Sequence, residues 1–352
     1  MMRVNATVRQ VGRLAFATML VAALGAGTQP PARAAAHGRS RRAGIASQCL
    51  VPGTRRTIDQ LWRPDMRSAI AYAHSRRGDI AFAVRTEHAF YGYRPDHVEW
   101  SASVVKAMLL VTYLDLPSVR NRALGIGDTS VLGPMIRASN NDDAQQVFDT
   151  VGQSGLLALA RRVGMSRFAT DPVWGATRIT ARDQTRFFLH IDGYVVRRHR
   201  SYAMRLLRSI VPWERWGIGE LAPRGWKLYF KGGWGYGTGL LDHQVALLAR
   251  GCARVSIAVL TMYDGSHAYG KQTLKGIFAR LLVGFPTRFG ARLSSTSATT
   301  SNLNFSESRS PESHSGRSEQ YRGGRIRTGE TSRTQTERSG QAELRPVAWH
   351  RV

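Results

Sequence analysis

The chain has 352 residues, of which 50 are Lys or Arg and 24 Asp or Glu, giving a formal net charge of +26. Its 43% hydrophobic content can fill a sizeable core, and two cysteines exclude a disulfide-dense scaffold. The charge does not spell a nucleic-acid module, because the arginines are scattered through every segment with no single stripe; such a surface suits anionic cell-wall polymers or a phospholipid headgroup layer, with plain solubility the commoner reason for it.

In chain order, Arg3, Arg9 and Arg13 precede an apolar run over 14–25, followed by small-x-small sites at Ala32-Arg33-Ala34 and Ala34-Ala35-Ala36. Residues 1–36 read as a signal peptide, which implies secretion, the alternative being an uncleaved N-terminal anchor. No later run reaches transmembrane length, so cleavage would leave no integral membrane segment. Residues 37–55 are polar and basic, as expected of a linker. A helix is expected over 57–77, then strands over 79–85 and 88–94. The run over 103–114 is apolar nearly all round, which predicts a helix buried at the centre of a domain. Helices are expected over 129–138, 142–151, 156–163, 181–194 and 202–211, strands over 226–231, 240–249 and 255–262, and a final helix over 267–283. Two strands, a helical block, three strands and a helix predict an α/β (α+β) body at 56–285. Both chain ends would build one antiparallel sheet with flanking helices, and the all-helical block would be inserted between them. From 286 to 352 the chain is dominated by Ser, Thr, Arg, Gly and Glu, which predicts a disordered tail.

Three short motifs carry chemistry. Ser103 and Lys106 stand three residues apart at the start of the buried helix, so hydroxyl and amine share a face near free backbone N–H groups. Lysine is scarce here, at positions 106, 227, 231, 271 and 275 only, so a site needing positive charge alone would be expected to hold Arg. Arginine cannot release its proton in a protein, whereas a desolvated lysine can act as a base. Ser139-Asn140-Asn141 follows an expected helix, and Lys231-Gly232-Gly233 ends a segment that alternates Trp226, Leu228 and Phe230 with Lys227, Tyr229 and Lys231.

In this order the three motifs resemble the serine β-lactamase and penicillin-binding protein superfamily, in its class A β-lactamase-related branch. The resemblance covers roughly residues 55 to 285 and implies that fold, a serine hydrolase activity through an acyl-enzyme, and a β-lactam or D-alanyl peptide as substrate. It implies Ser103 as nucleophile, Lys106 as its activating amine and Ser139 as the hydroxyl that relays a proton to the leaving nitrogen. It implies Asn141 and Lys231 as substrate-binding groups, and an open strand edge at Gly232 and Gly233. The N–H groups of Ser103 and Trp234 would form the oxyanion hole. The stretch from Trp174 to Asp183 looks like a loop-to-helix junction of secreted relatives.

There are departures. Asn140 stands where the branch has Asp, and Gly232 where it has a hydroxyl residue. The gap from Ser103 to Ser139 is short for the branch. No Glu follows Ser139 until Glu214 and Glu220, too late for the loop that carries the deacylating carboxylate, and Asp171 is the only acid in that stretch. Acylation is therefore expected to outrun deacylation, the alternative being a degenerate relative that binds cell-wall peptide without turnover.

No His-x-His or His-Glu-x-x-His occurs, and the glycine-rich stretch over 232–239 never spells Gly-x-Gly-x-x-Gly, so neither a metal nor a cofactor is expected. Cys49 and Cys252 can pair in an oxidising compartment, a point the sequence leaves open.

Overall fold

The computed structural model describes residues 49–235 and 240–287. The expected signal peptide, the linker up to residue 48 and the tail from 288 lie outside the described residues.

The sheet is antiparallel and draws on both ends of the body. β1 (Asp79–Arg85) pairs with β2 (Phe90–Tyr93) and with β7 (Ala253–Met262); β7 pairs with β6 (Leu241–Arg250), and β6 with β5 (Lys227–Trp234). The order is β2-β1-β7-β6-β5, so β5 is an edge strand. The middle strands are buried on both faces, as their apolar runs require. One face is covered by α2 (Met66–His74) and α9 (His267–Leu281), the other by α7 (Ala181–Leu189).

The expected helix over 57–77 is two pieces, α1 (Ile58–Leu61) and α2, because Pro64 lacks an N–H and disfavours helix at the residue before it. The chain restarts at Asp65, whose carboxylate accepts from Ser68 N at 3.0 Å. α3 (Lys106–Leu114) is buried on almost every side and packs against α5 (Ile126–Arg137), α6 (Asn141–Val163) and α8 (Arg197–Arg208). The two helices expected over 142–163 run on through α6, broken at Gly152, whose φ of 65° suits a residue without Cβ. The expected helix over 181–194 ends earlier, with α7 followed by a 3-10 turn at Ile191–Gly193. A short helix, α4 (Pro117–Arg120), and a separate ladder of β3 (Glu99–Trp100) with β4 (Arg178–Ile179) were not anticipated.

Cys49 and Cys252 form a disulfide between chain positions 203 residues apart, and Val51 is buried beside it. The packed body thus begins ahead of residue 56. In the loop-entropy model such a closure contributes on the order of 5 kcal/mol. Among the described residues no helix is long and apolar enough to cross a membrane.

Candidate active site

Ser103 lies in a 3-10 turn, Ala102–Val105, that leads into α3, and Lys106 opens the α-helix itself. Ala102 has φ 41° and Ser139 φ 53°, so left-handed backbone occurs both immediately before the candidate nucleophile and at the second motif. Non-glycine residues in such wells concentrate where surrounding structure over-determines them, often at functional sites. The turn is tied to the sheet through His243. Burial holds that imidazole down to about 4; Nε2 lies 2.8 Å from Trp100 O, and Nδ1 lies 2.8 Å from Asp242 O and 3.1 Å from Thr261 N.

Two buried lysines meet at Ser139. Lys106 Nζ donates to Ser139 O at 2.5 Å and to Asn141 Oδ1 at 2.8 Å, and stands 3.4 Å from Ser139 Oγ. Lys231 Nζ donates to Ser139 Oγ at 2.9 Å and to Gly232 O at 3.0 Å. Both lysine side chains are fully buried. Burial, reinforced by the Lys231 charge, holds the Lys106 amine well below the usual lysine range. Burial brings Lys231 down to about 8, opposed by the Glu214 carboxylate. The hydrogen-bond inventory agrees with this asymmetry. In its neutral form Lys106 has N–H groups for Ser139 O and Asn141 Oδ1, with Ser139 Oγ a more distant neighbour at 3.4 Å. A charged Lys231 has a donor for Ser139 Oγ, one for Gly232 O and one directed at Glu214.

The amine of Lys106 therefore faces Ser139 and Asn141; no hydrogen bond joins it to Ser103 among the described residues. Trp174, from the 3-10 turn Trp174–Ala176, has its ring centred 4.8 Å from Lys106 Nζ, which brings the loop-to-helix stretch to the site.

Glu214 is the residue that sequence reasoning missed. It comes too late in the chain for the expected loop, yet the 3-10 turn Pro212–Glu214 buries it with Oε2 3.7 Å from Lys231 Nζ. Burial pushes its carboxyl up, opposed by Lys231 and Lys106. Nothing in the local pattern marks it, because its position depends on packing against a strand that follows it in the chain. Asp171 is a different case: its Oδ1 accepts from Val173 N at 2.8 Å, closing its own loop. Asn140, which replaces Asp, caps α6 through Oδ1, accepting from Asp143 N at 2.9 Å. An amide oxygen fills that capping role as well as a carboxylate.

On β5, Gly235 N donates to Leu241 O, so the pairing alternation turns the backbone groups of Gly232 and Trp234 away from β6, toward the open edge. Gly233 lies against the Ser103 turn: a Cβ there would come within 2.9 Å of Ser103 N and 3.0 Å of Ser101 O. Gly232 is less restricted, with Trp216 at 3.4 Å as nearest neighbour. The Trp234 ring stacks on His267 with centroids 5.8 Å apart, and Trp216 meets both edge-on.

No protein-family model and no curated protein matches the chain by sequence. Solved structures match by shape. The chain is similar to a β-lactamase from Sphaerobacter thermophilus, with TM-score 0.54 and 16% identity over 61% of this chain and 95% of that one. It is similar to a class A β-lactamase from Mycobacterium abscessus, with TM-score 0.53 and 17% identity over 63% and 99%. A β-lactamase from Desulfarculus baarsii gives TM-score 0.51 and 19% identity over 60% and 95%. The antiparallel sheet, its flanking helices and these matches together give the described body a β-lactamase/transpeptidase-like fold.

Proposed function

We propose that this chain is a secreted active-site-serine hydrolase that acts through an acyl-enzyme on β-lactams or D-alanyl peptides, acylating faster than it deacylates. The observation that carries the reading is the pair of unlike lysines on one hydroxyl: Ser139 Oγ accepts from Lys231 Nζ at 2.9 Å and lies 3.4 Å from the desolvated Lys106 amine. That arrangement moves a proton in one direction. Ser103 Oγ attacks the substrate carbonyl carbon and its proton passes to Lys106. Lys106 then returns a proton through Ser139 to the leaving nitrogen as the carbon–nitrogen bond breaks, leaving an ester on Ser103. Trp234 and Ser103 supply N–H donors to the developing oxyanion, Asn141 and Lys231 hold the substrate, and Gly233 leaves its backbone room to approach.

Hydrolysis of the ester needs a second base beside a water. Asp171 is occupied by its own loop, and Glu214 is paired with Lys231. This favours a long-lived adduct, and it equally supports the second reading, a relative that binds cell-wall peptide or is acylated once without turnover. Incubation with a labelled penicillin, followed by intact mass over time, tests both. A Ser103-linked adduct that decays slowly supports the first reading, an adduct that never decays supports the second, and no adduct rejects acyl-enzyme chemistry.

A further inference from the structure

We infer that a second site, a basic cleft between α8 and the sheet, binds phosphate-bearing anions independently of the serine site. The cleft has a volume of about 410 Å³ and is lined by Arg200, Arg205 and Arg208 of α8, Lys227 of β5 and Arg254 of β7. Arg205 and Arg208 stand three residues apart and share one face of α8, and Arg200 reaches the same cleft from the preceding turns. Asp192 is the one carboxylate in the lining, and it is already held by Arg254 through hydrogen bonds of 2.6 and 2.7 Å. Among the described residues no carboxylate lies within ion-pair distance of Arg200, Arg205, Arg208 or Lys227.

Five cations line this one concavity against a single carboxylate, Asp192, which Arg254 binds directly and Arg200 also stabilises, so the lining carries an excess of positive charge that a bound anion would offset. The exposed arginines and Lys227 border a concavity, not a flat surface, of a volume suited to a small ligand. The forked guanidinium groups match the oxygens of a phosphate, and the half-buried Tyr229 in the lining adds a hydroxyl donor. Lys227 precedes Lys231 by four residues on β5, a separation of roughly 13 Å along the strand. The cleft is therefore separate from the lysine pair at Ser139. The ligand chemistry is a phosphate or phosphodiester, from a soluble polymer or a lipid headgroup.

The test uses the full chain with its disulfide intact. Tripolyphosphate binding is measured by calorimetry near physiological salt, and retention on phosphatidylglycerol/phosphatidylcholine vesicles by sedimentation. Arg205→Gln/Arg208→Gln is compared with Arg67→Gln/Arg161→Gln, a charge-matched pair of exposed arginines elsewhere. The expected result is at least about tenfold weaker tripolyphosphate binding in the cleft variant only, with penicillin labelling unchanged. Loss of vesicle retention in the cleft variant alone also supports the site and identifies the headgroup as the source. Equal losses in both variants would reduce the effect to net charge and overturn the assignment. Absence of binding to either probe, or binding unaltered in the cleft variant, would overturn it as well.

Discussion

Glu214 faces Lys231 across 3.7 Å in the interior, and it is the one carboxylate within ion-pair distance of either lysine at Ser139 among the described residues. The pair sets the two lysines apart. The carboxylate supports the charge on Lys231 more directly than that on Lys106, and burial, reinforced by the Lys231 charge, holds the Lys106 amine well below the usual lysine range.

Glu214→Gln is therefore expected to move the alkaline limb of acylation to lower pH. Burial brings Lys231 down to about 8, so the wild-type limb is expected there, and removing the carboxylate makes the charged amine harder to keep. Asp143, which also acts on Lys106 electrostatically, is left in place. A pH profile of the acylation rate checks this; an unmoved limb would detach Glu214 from the chemistry.

Lys106→Arg should eliminate covalent penicillin labelling in a folded protein. The charge is retained and the proton acceptor is lost, a change worth ~10²–10⁴ in rate for general-base assistance. Circular dichroism reports the fold and intact mass the adduct. Labelling at the wild-type rate would end the base assignment.

Deacylation should be slow and indifferent to Asp171. Asp171→Asn keeps an oxygen for the Val173 N–H, so the loop persists, and the adduct lifetime is expected to match the wild type. Turnover at ordinary β-lactamase rates in the wild type, lost in this variant, would show that Asp171 serves as the water-activating base.

The two glycines after Lys231 should respond differently to a methyl group. Gly233→Ala sets a Cβ against the backbone at Ser103 and Ser101, atoms that cannot swing aside, so acylation is expected to fall steeply. Gly232→Ala meets the Trp216 ring at 3.4 Å and Gln244 Cγ at 3.7 Å, ordinary contact distances, and should label nearly as the wild type does. Labelling rates of the two variants, compared side by side, decide the point.

Glu99 gives a pH signature of stability. Burial, with Asp79 adding to it, pushes its carboxyl up to about 8. The native state thus holds a proton that the unfolded chain releases near 4.5. The stabilising contribution is complete below that pH and is lost as pH rises toward 8. The stability difference between wild type and Glu99→Gln, measured by urea unfolding, should shrink in favour of the variant from pH 5 to pH 8. A constant difference would reject the shift.

Much of this was legible in the chain because it is local. The β1 boundaries follow from a single apolar run, and the spacing of Ser103 and Lys106 places both on one turn. The choice of Lys at 106, in a chain whose cations are mostly Arg, anticipated a desolvated amine. What was not legible depends on distant packing. Local spacing suggested Lys106 reaching for Ser103, whereas its amine is drawn to Ser139 and Asn141, which arrive from another helix boundary. Glu214 enters the site only because its turn lies against β5. Pro64 did announce the break between α1 and α2, and the helical pattern around it obscured the signal.

The disulfide gives the chain an order of events. Cys252 follows Lys231, Gly233 and Trp234 in the sequence, so the Cys49–Cys252 bond cannot close until every proposed catalytic residue has been synthesised and delivered. On the proposed secretory route, threading from the N-terminus would present Cys49 early as a lone thiol and its native partner only late. During that interval the early thiol is open to any oxidant or foreign sulfhydryl. The linkage therefore acts as a final latch on a body whose working parts have already arrived.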